Sequence, residues 1–166
     1  MHLNKYLLLL TMAVLFCSDI NPSGYAPILM TRDEMERAVK LESPRPMLEP
    51  GKIYYKNPYL LIVEKYKGVH IFDNTDPENP NKIGFLHIDG IRDMAIKDDV
   101  LYADNAVDLI AVQINASASS AVVTKRLKNY FQEIPPPDGR PGAAYLGNRI
   151  PAHIILVGWK TNDSNR

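Results

Sequence analysis

From Gly51 onward, apolar residues come in short runs divided by turn residues, a strand-and-turn rhythm with no helical period. Ile53-Tyr54-Tyr55 is followed by the turn pair Asn57-Pro58, and then by Tyr59-Leu60-Leu61-Ile62-Val63. The near-continuous apolarity of that second run predicts burial on both faces. A turn over residues 65–68 leads into Val69-His70-Ile71-Phe72, closed by Asp73-Asn74-Thr75-Asp76-Pro77. Ile83-Gly84-Phe85-Leu86-His87-Ile88 is the fourth run and ends at Asp89-Gly90. The layout then recurs. Met94-Ala95-Ile96 leads to Lys97-Asp98-Asp99, where Lys56-Asn57-Pro58 stood. Val100-Leu101-Tyr102-Ala103-Asp104 answers the 59–63 run, and Leu109-Ile110-Ala111-Val112 answers the 69–72 run. The spacing shortens by a single position between the first pair of runs and the second.

A period of about 40 residues holding four short strands is the size of a propeller blade. The expected fold is therefore mainly β, with propeller-blade-like antiparallel four-stranded units forming a partial propeller, preceded by one short N-terminal helix. Thr31-Arg32-Asp33-Glu34 supplies the helix start. Thr31 caps, Glu34 completes a capping box, and Met30 and Met35 stand at hydrophobic-staple spacing. The helix should end near Leu41, since Pro44 and Pro46 force their neighbours into extended backbone. Residues 21–28, with Pro22, Gly24 and Pro27, read as a linker. Residues 122–131 read either as the opening strand of a third unit or as a basic amphipathic segment. Residues 134–142, with Pro135-Pro136-Pro137, read as an exposed loop. Ile154-Ile155-Leu156-Val157-Gly158-Trp159 is a strand, with Trp159 packing on the sheet.

The beginning of the chain is an address. His2 and Lys5 precede an apolar run from Tyr6 to Phe16, interrupted only by Thr11. Eleven residues of helix span roughly 16 Å, about half a bilayer core, which fits a signal-peptide core and not a membrane span. Cys17, the only cysteine, follows at once. It is either an incidental residue beside a cleavage site or the lipid-attachment residue of a bacterial lipoprotein. Val14-Leu15-Phe16-Cys17 resembles a lipobox, with Phe16 where a small residue is usual. The expected organisation is a signal peptide over 1–16, a lipid-attachment linker, helix and extended lead-in over 17–50, a β-repeat domain over 51–160, and a polar tail over 161–166.

Composition narrows the function classes. Nineteen basic and nineteen acidic residues leave no net charge, against nucleic acid as a partner. One cysteine excludes a disulfide framework. The histidines His2, His70, His87 and His153 lack metal-ligand spacing, and no phosphate-binding or nucleophile-elbow motif occurs. No cofactor or metal site is expected. The 73–79 segment holds Asp73, Asn74, Asp76, Glu78 and Asn79, but lacks the glycine and closing glutamate of a calcium loop. Tyr54, Tyr55, Tyr59, Tyr66 and Tyr102 read as strand packing before they read as a glycan-stacking face.

Gly68-Val69-His70-Ile71-Phe72-Asp73-Asn74-Thr75-Asp76-Pro77 resembles the signature of LVIVD-repeat proteins. Their units read Leu-Tyr-Val-Ala-Asp, then Gly-Leu-x-Val-x-Asp-x-Ser-Asp-Pro, and Leu101-Tyr102-Ala103-Asp104 supplies the first half in the second unit. That second unit departs from the pattern at Asp108, Gln113 and Asn115-Ala116-Ser117. The resemblance implies a secreted or surface bacterial protein, often a lipoprotein, with blade-like repeats and no transferable catalytic residue.

The expected function is thus a non-enzymatic lipoprotein of the bacterial outer membrane or cell surface. It would be tethered to the membrane through Cys17 and act as a binding or structural module for a protein or glycan partner. The alternatives are a hydrolase or carbohydrate-processing accessory protein using acidic loop residues such as Asp104 and Asp108, or a truncated relative. Length adds one expectation. Residues 51–166 number 116, or about 2.9 units, and a closed propeller takes about four to eight. Open strand edges would then invite self-association.

Overall fold

The computed structural model describes residues 24–115, 120–146 and 150–162, so the leader 1–16, Cys17 and the end of the polar tail lie outside the described residues. The described chain is mainly β with antiparallel pairings. It opens with β1 (Tyr25–Thr31), α1 (Arg32–Ala38) and β2 (Lys40–Glu42). β3 (Pro50–Lys56), β4 (Tyr59–Glu64), β5 (Gly68–Asp73) and β6 (Asn81–His87) follow as a meander, and β2 adds to the free edge of β6. β7 (Met94–Lys97), β8 (Val100–Asn105), β9 (Asp108–Ile114) and β10 (Ala121–Leu127) form a second meander. After the one-turn α2 (Ala143–Leu146), β11 (Ile154–Thr161) pairs with β1 as a two-stranded ribbon.

The two meanders share their registers. Lys56 faces Tyr59 and Lys97 faces Val100; Tyr59 faces Asp73 and Val100 faces Gln113; Ile71 faces Gly84 and Ala111 faces Lys125. Lys56, Tyr59, Ile71 and Gly84 in the first meander thus correspond to Lys97, Val100, Ala111 and Lys125 in the second. The spacing is the same in the first, second and fourth strands and one position shorter in the third. That slip arises because three residues turn β4 into β5, whereas Ala106 and Val107 alone turn β8 into β9.

Several expectations are corrected by this architecture. Residues 25–31 are a strand and not a linker, because β11 offers them a ladder from Tyr25↔Thr161 to Thr31↔Ile154. The short Ile28-Leu29-Met30 run beside Pro27 carries no strand signal until that distant partner is supplied. α1 ends at Ala38 and not near Leu41: Val39 is already extended, and Leu41 pairs with Leu86. The sheets therefore begin well before Gly51. β10 closes the second meander and opens no third unit. Its apolar rhythm is broken by a bulge between Val123 and Lys125, and by Arg126, which turns inward. The 134–142 segment is also less exposed than expected. Ile134 is 2% exposed, and Trp159 Nε1 donates to its carbonyl at 3.1 Å.

The meanders stack face to face. Leu61, Val63, Val69, Ile71 and Leu86 of the first meet Leu101, Ala103, Ile110 and Val112 of the second, with Ile88 and Ile91 from the connecting loop between them. Each of these leucines, isoleucines and valines contributes about 1.5–3 kcal/mol on burial. A second cluster of Met35, Ala106, Val107, Ile134, Leu156 and Trp159 seals one end of the stack. That is the end of the β4–β5 and β8–β9 turns, where Tyr66 lies against Gly158 and Phe131 N donates to the Val107 carbonyl at 2.8 Å. Among the described residues the other end is left open.

The strand edges are blunted. β3 carries Pro50, Lys52, Lys56 and an irregular register; β10 has a bulge beside Lys125; β1 has Pro27 and a bulge after Ile28. β7 has four residues and ends on Lys97, and β2 has three and begins on Lys40. Short strands, lysines, prolines and bulges all oppose edge-to-edge pairing.

Candidate functional site: an open cleft between the sheets

The open end of the stack forms a cleft of about 660 Å³. Its floor is the core seen end-on: Leu61 and Ile71 from the first sheet and Leu101 from the second. Ile96, Ile114 and Tyr59 raise the apolar walls, and Val122, 60% exposed, borders the cleft from the outward parity of β10 opposite Gln113. Lys56, Asn57, Asp99, Gln113, Asn115 and Ser120 make the rim. The strand periods dictate this arrangement. Residues of one parity point into the stack, and where strands end in turns their last inward side chains border solvent. Two ties hold the rim. Lys56 Nζ donates to the Asp98 carbonyl at 2.6 Å and lies 3.4 Å from Asp99, joining the Asn57-Pro58 turn to the β7–β8 turn. Asn115 N donates to the Ser120 carbonyl and Ser120 N donates to Asn115 Oδ1, both at 3.1 Å. The Asn57–Pro58 peptide is cis. Chemically, the cleft can bury an apolar group and hydrogen-bond its polar ends through amides, one ammonium and one carboxylate.

The acidic residues singled out from the sequence are at the sealed end, not at the cleft. Asp104 accepts from Arg92 N and Nε, both at 2.8 Å, and from Asp93 N at 2.9 Å. Asp108 is fully buried and accepts from Arg126 at 2.8 Å, Asn129 N at 2.9 Å and Arg32 at 3.0 and 3.1 Å. Burial pushes the Asp108 carboxyl up, but the Asn129 amide and the two guanidiniums outweigh it and hold the group below the usual range. Asp104 lies opposite Leu109, and Asn105 lies opposite Asp108. The two carboxylates therefore project from opposite faces of the hairpin and do not converge.

The loop after β5 turns its carboxylates inward. Asp73 Oδ1 accepts from Thr75 N at 2.9 Å and from Thr75 Oγ1 at 2.6 Å; Asp76 accepts from Glu78 N and Asn79 Nδ2, both at 3.1 Å. These are side-chain turn caps. Among the described residues no group of three or more His, Cys, Asp or Glu is placed to hold a metal ion, and no helix is long and apolar enough to cross a membrane. The five tyrosines do not gather on one face, although Tyr54 and Tyr59 both pack on the inner face of the first sheet. Tyr54 donates to Asp93, Tyr59 lines the cleft, Tyr66 packs on Gly158, and Tyr55 and Tyr102 are exposed on different sheets.

Sequence reasoning missed a buried ionic group on the outer face of the first sheet. Glu64 and His70 are 1% and 0% exposed, with Glu64 Oε2 2.8 Å from His70 Nε2. Lys67 Nζ donates to Glu64 Oε1 at 3.2 Å, and Arg45 comes within 3.6 Å of Oε2. The available signal was Glu64 itself, a carboxylate ending a strand read as buried on both faces.

The fold and its open end define an antiparallel β protein with an inter-sheet cleft. No protein-family model, curated protein or solved structure matches the chain.

Proposed function

We propose that the chain is a non-enzymatic lipoprotein of the bacterial cell envelope. In this reading it is anchored through Cys17, is built on two LVIVD-type, propeller-blade-like units, and binds a protein partner by an apolar segment inserted into the inter-sheet cleft. The observation that carries the binding role is the cleft: an apolar floor of core residues open to solvent inside a hydrogen-bonding rim. The shared registers of the two meanders support the repeat reading. The saturated oxygens of Asp104 and Asp108 support a non-catalytic role for both. A protein segment is favoured over a glycan because the tyrosines form no stacking platform.

Ile96→Lys tests the binding site. Ile96 lines the cleft, is half-buried near the end of β7 and pairs with the inward Leu101, so the change should cost about 1 kcal/mol, checked by urea unfolding. An apolar fluorescent dye should light up on the unaltered chain and bind about tenfold more weakly to the variant, a loss of about 1.4 kcal/mol. Equal binding by both proteins would remove the cleft as the site. The anchor is tested separately, by feeding expressing bacteria a fatty-acid analogue. Label is expected on the unaltered chain and not on Cys17→Ser; equal label on both, or none on either, overturns the lipid anchor.

A further inference from the structure

Residues 43–49 join β2 to β3, the opposite edges of a five-stranded sheet whose order is β2-β6-β5-β4-β3. The connection therefore crosses a sheet face, and Pro44 and Pro46 keep it extended. Its anchor is Arg45. The guanidinium stacks 3.5 Å above the ring of Phe85 and lies 3.6 Å from Glu64 Oε2, while the Arg45 carbonyl accepts from Lys82 Nζ at 2.9 Å. Beneath this residue sit Glu64, His70 and Phe85, all essentially without solvent exposure.

The protonation state of His70 follows from its partners. Glu64 offers only acceptors, so Nε2 carries the hydrogen of the neutral ring and Nδ1 is bare. Nδ1 is buried and has no hydrogen-bond partner. A proton added there creates a buried N–H with nothing to receive it, and an unmet buried donor is costly. It also adds a positive charge to a pocket already crowded with them. Facing His70 are Glu64 of β4, Lys82 of β6 and Arg45 of the strap, and the one carboxylate already pairs with two cations, Arg45 and Lys67 of the turn. His87, Glu42 and Asp89 form a neighbouring group on the same face around Phe85, and the Arg45 charge also bears on His87.

We propose that residues 43–49 are an acid-released strap: protonation of His70 at Nδ1 expels Arg45 from Glu64 and lifts the segment off Phe85, giving the imidazolium access to water. Ile53, Ile62, His70 and Phe85 lie directly opposite one another across four strands, and hence on one face. Ile53 is already 62% exposed. Opening the strap uncovers Phe85 and extends that apolar row. The sign is fixed by burial, which holds His70 below its ordinary value in the closed form, outweighing the pull of Glu64. Closure is therefore favoured above about pH 6.5 and weakens as pH falls below it, by at most about tenfold per pH unit.

NMR on the whole purified chain tests this, read as the population of the open strap at the Arg45 side chain and the Phe85 ring it covers. Strap opening should rise about fivefold or more from pH 7.5 to pH 5, within the limit set by one proton. Hydrogen-exchange protection in β4, β5 and β8 should not change. His70→Gln, which keeps a donor to Glu64 and does not titrate, should stay closed at both pH values. His87→Gln should respond as the unaltered chain does. Arg45→Gln, at a partly exposed position, should open the strap at both pH values and raise the His70 titration midpoint seen by NMR. An open population that is equal at both pH values overturns the proposal. So do a retained pH response in His70→Gln, parallel opening of the core strands, or an unmoved His70 midpoint in Arg45→Gln.

Discussion

Asp108→Ala should destabilise the protein by about 3–5 kcal/mol, the range for removing one member of a buried ion pair. Asp108 is fully buried between Arg32 and Arg126, whose side chains are 18% and 11% exposed, and it also receives the Asn129 amide. The substitution leaves two guanidiniums and a backbone N–H without their acceptor. It also unfastens α1 from the second meander, because Arg32 is the first residue of that helix. Asp108→Asn should cost less, since its carbonyl can still accept from Asn129. Urea denaturation with an unchanged slope is the measurement. A loss under about 1 kcal/mol would show that the cluster is a solvated surface pair, worth what such pairs usually are. The difference also has a pH signature. Asp108 titrates lower in the folded protein than in the unfolded chain, so its contribution is complete above about pH 3.9 and is lost as pH falls through the folded-state value. The stability gap between the two proteins should therefore narrow on acidification.

The strands between Gly51 and Ile114 were legible because their signals are local. Apolar runs and the Asn57-Pro58, Asp73–Pro77 and Asp98-Asp99 turns each declare themselves within a few residues. β1 and β10 were not, because each depends on a partner. β1 is a short apolar run that becomes a strand only beside β11, at the far end of the described chain. β10 spends Arg126 on Asp108 instead of continuing the apolar alternation. The cleft was illegible for a related reason, since its floor is read as ordinary core and its opening depends on how two sheets end. Position 108 was visible as a departure, an aspartate where the first unit has Gly68. The registers supply its cause. Phe85, whose ring fills the space beside Gly68, corresponds to Arg126, so an apolar pair in one meander is an ionic pair in the other. The two departures compensate, and the pairing could have been sought by stepping one repeat along the chain from Phe85.

That correspondence makes Gly68→Ala the second large expected effect. Gly68 has φ +152°, a backbone conformation that residues with a Cβ rarely adopt. A Cβ placed there would collide with the Leu86 carbonyl oxygen and come within 2.5 and 2.8 Å of two ring atoms of Phe85. The carbonyl belongs to the neighbouring strand, and Phe85 is pinned between Arg45 above and the edge of His70 beside it. Neither contact yields without moving the sheet. Overpacking costs about 1–3 kcal/mol and backbone strain about 1–3 kcal/mol more, so the expected loss is about 3 kcal/mol or more. Gly139→Ala separates the two contributions. Gly139 has φ +73°, but a Cβ added to it would meet nothing within 4 Å. Its loss should therefore reflect backbone strain alone, about 1 kcal/mol. If thermal or urea unfolding gives Gly68→Ala no larger a loss than Gly139→Ala, Phe85 does not pack against the Gly68 backbone. The account of why one unit keeps glycine where the other keeps Asp108 then fails with it.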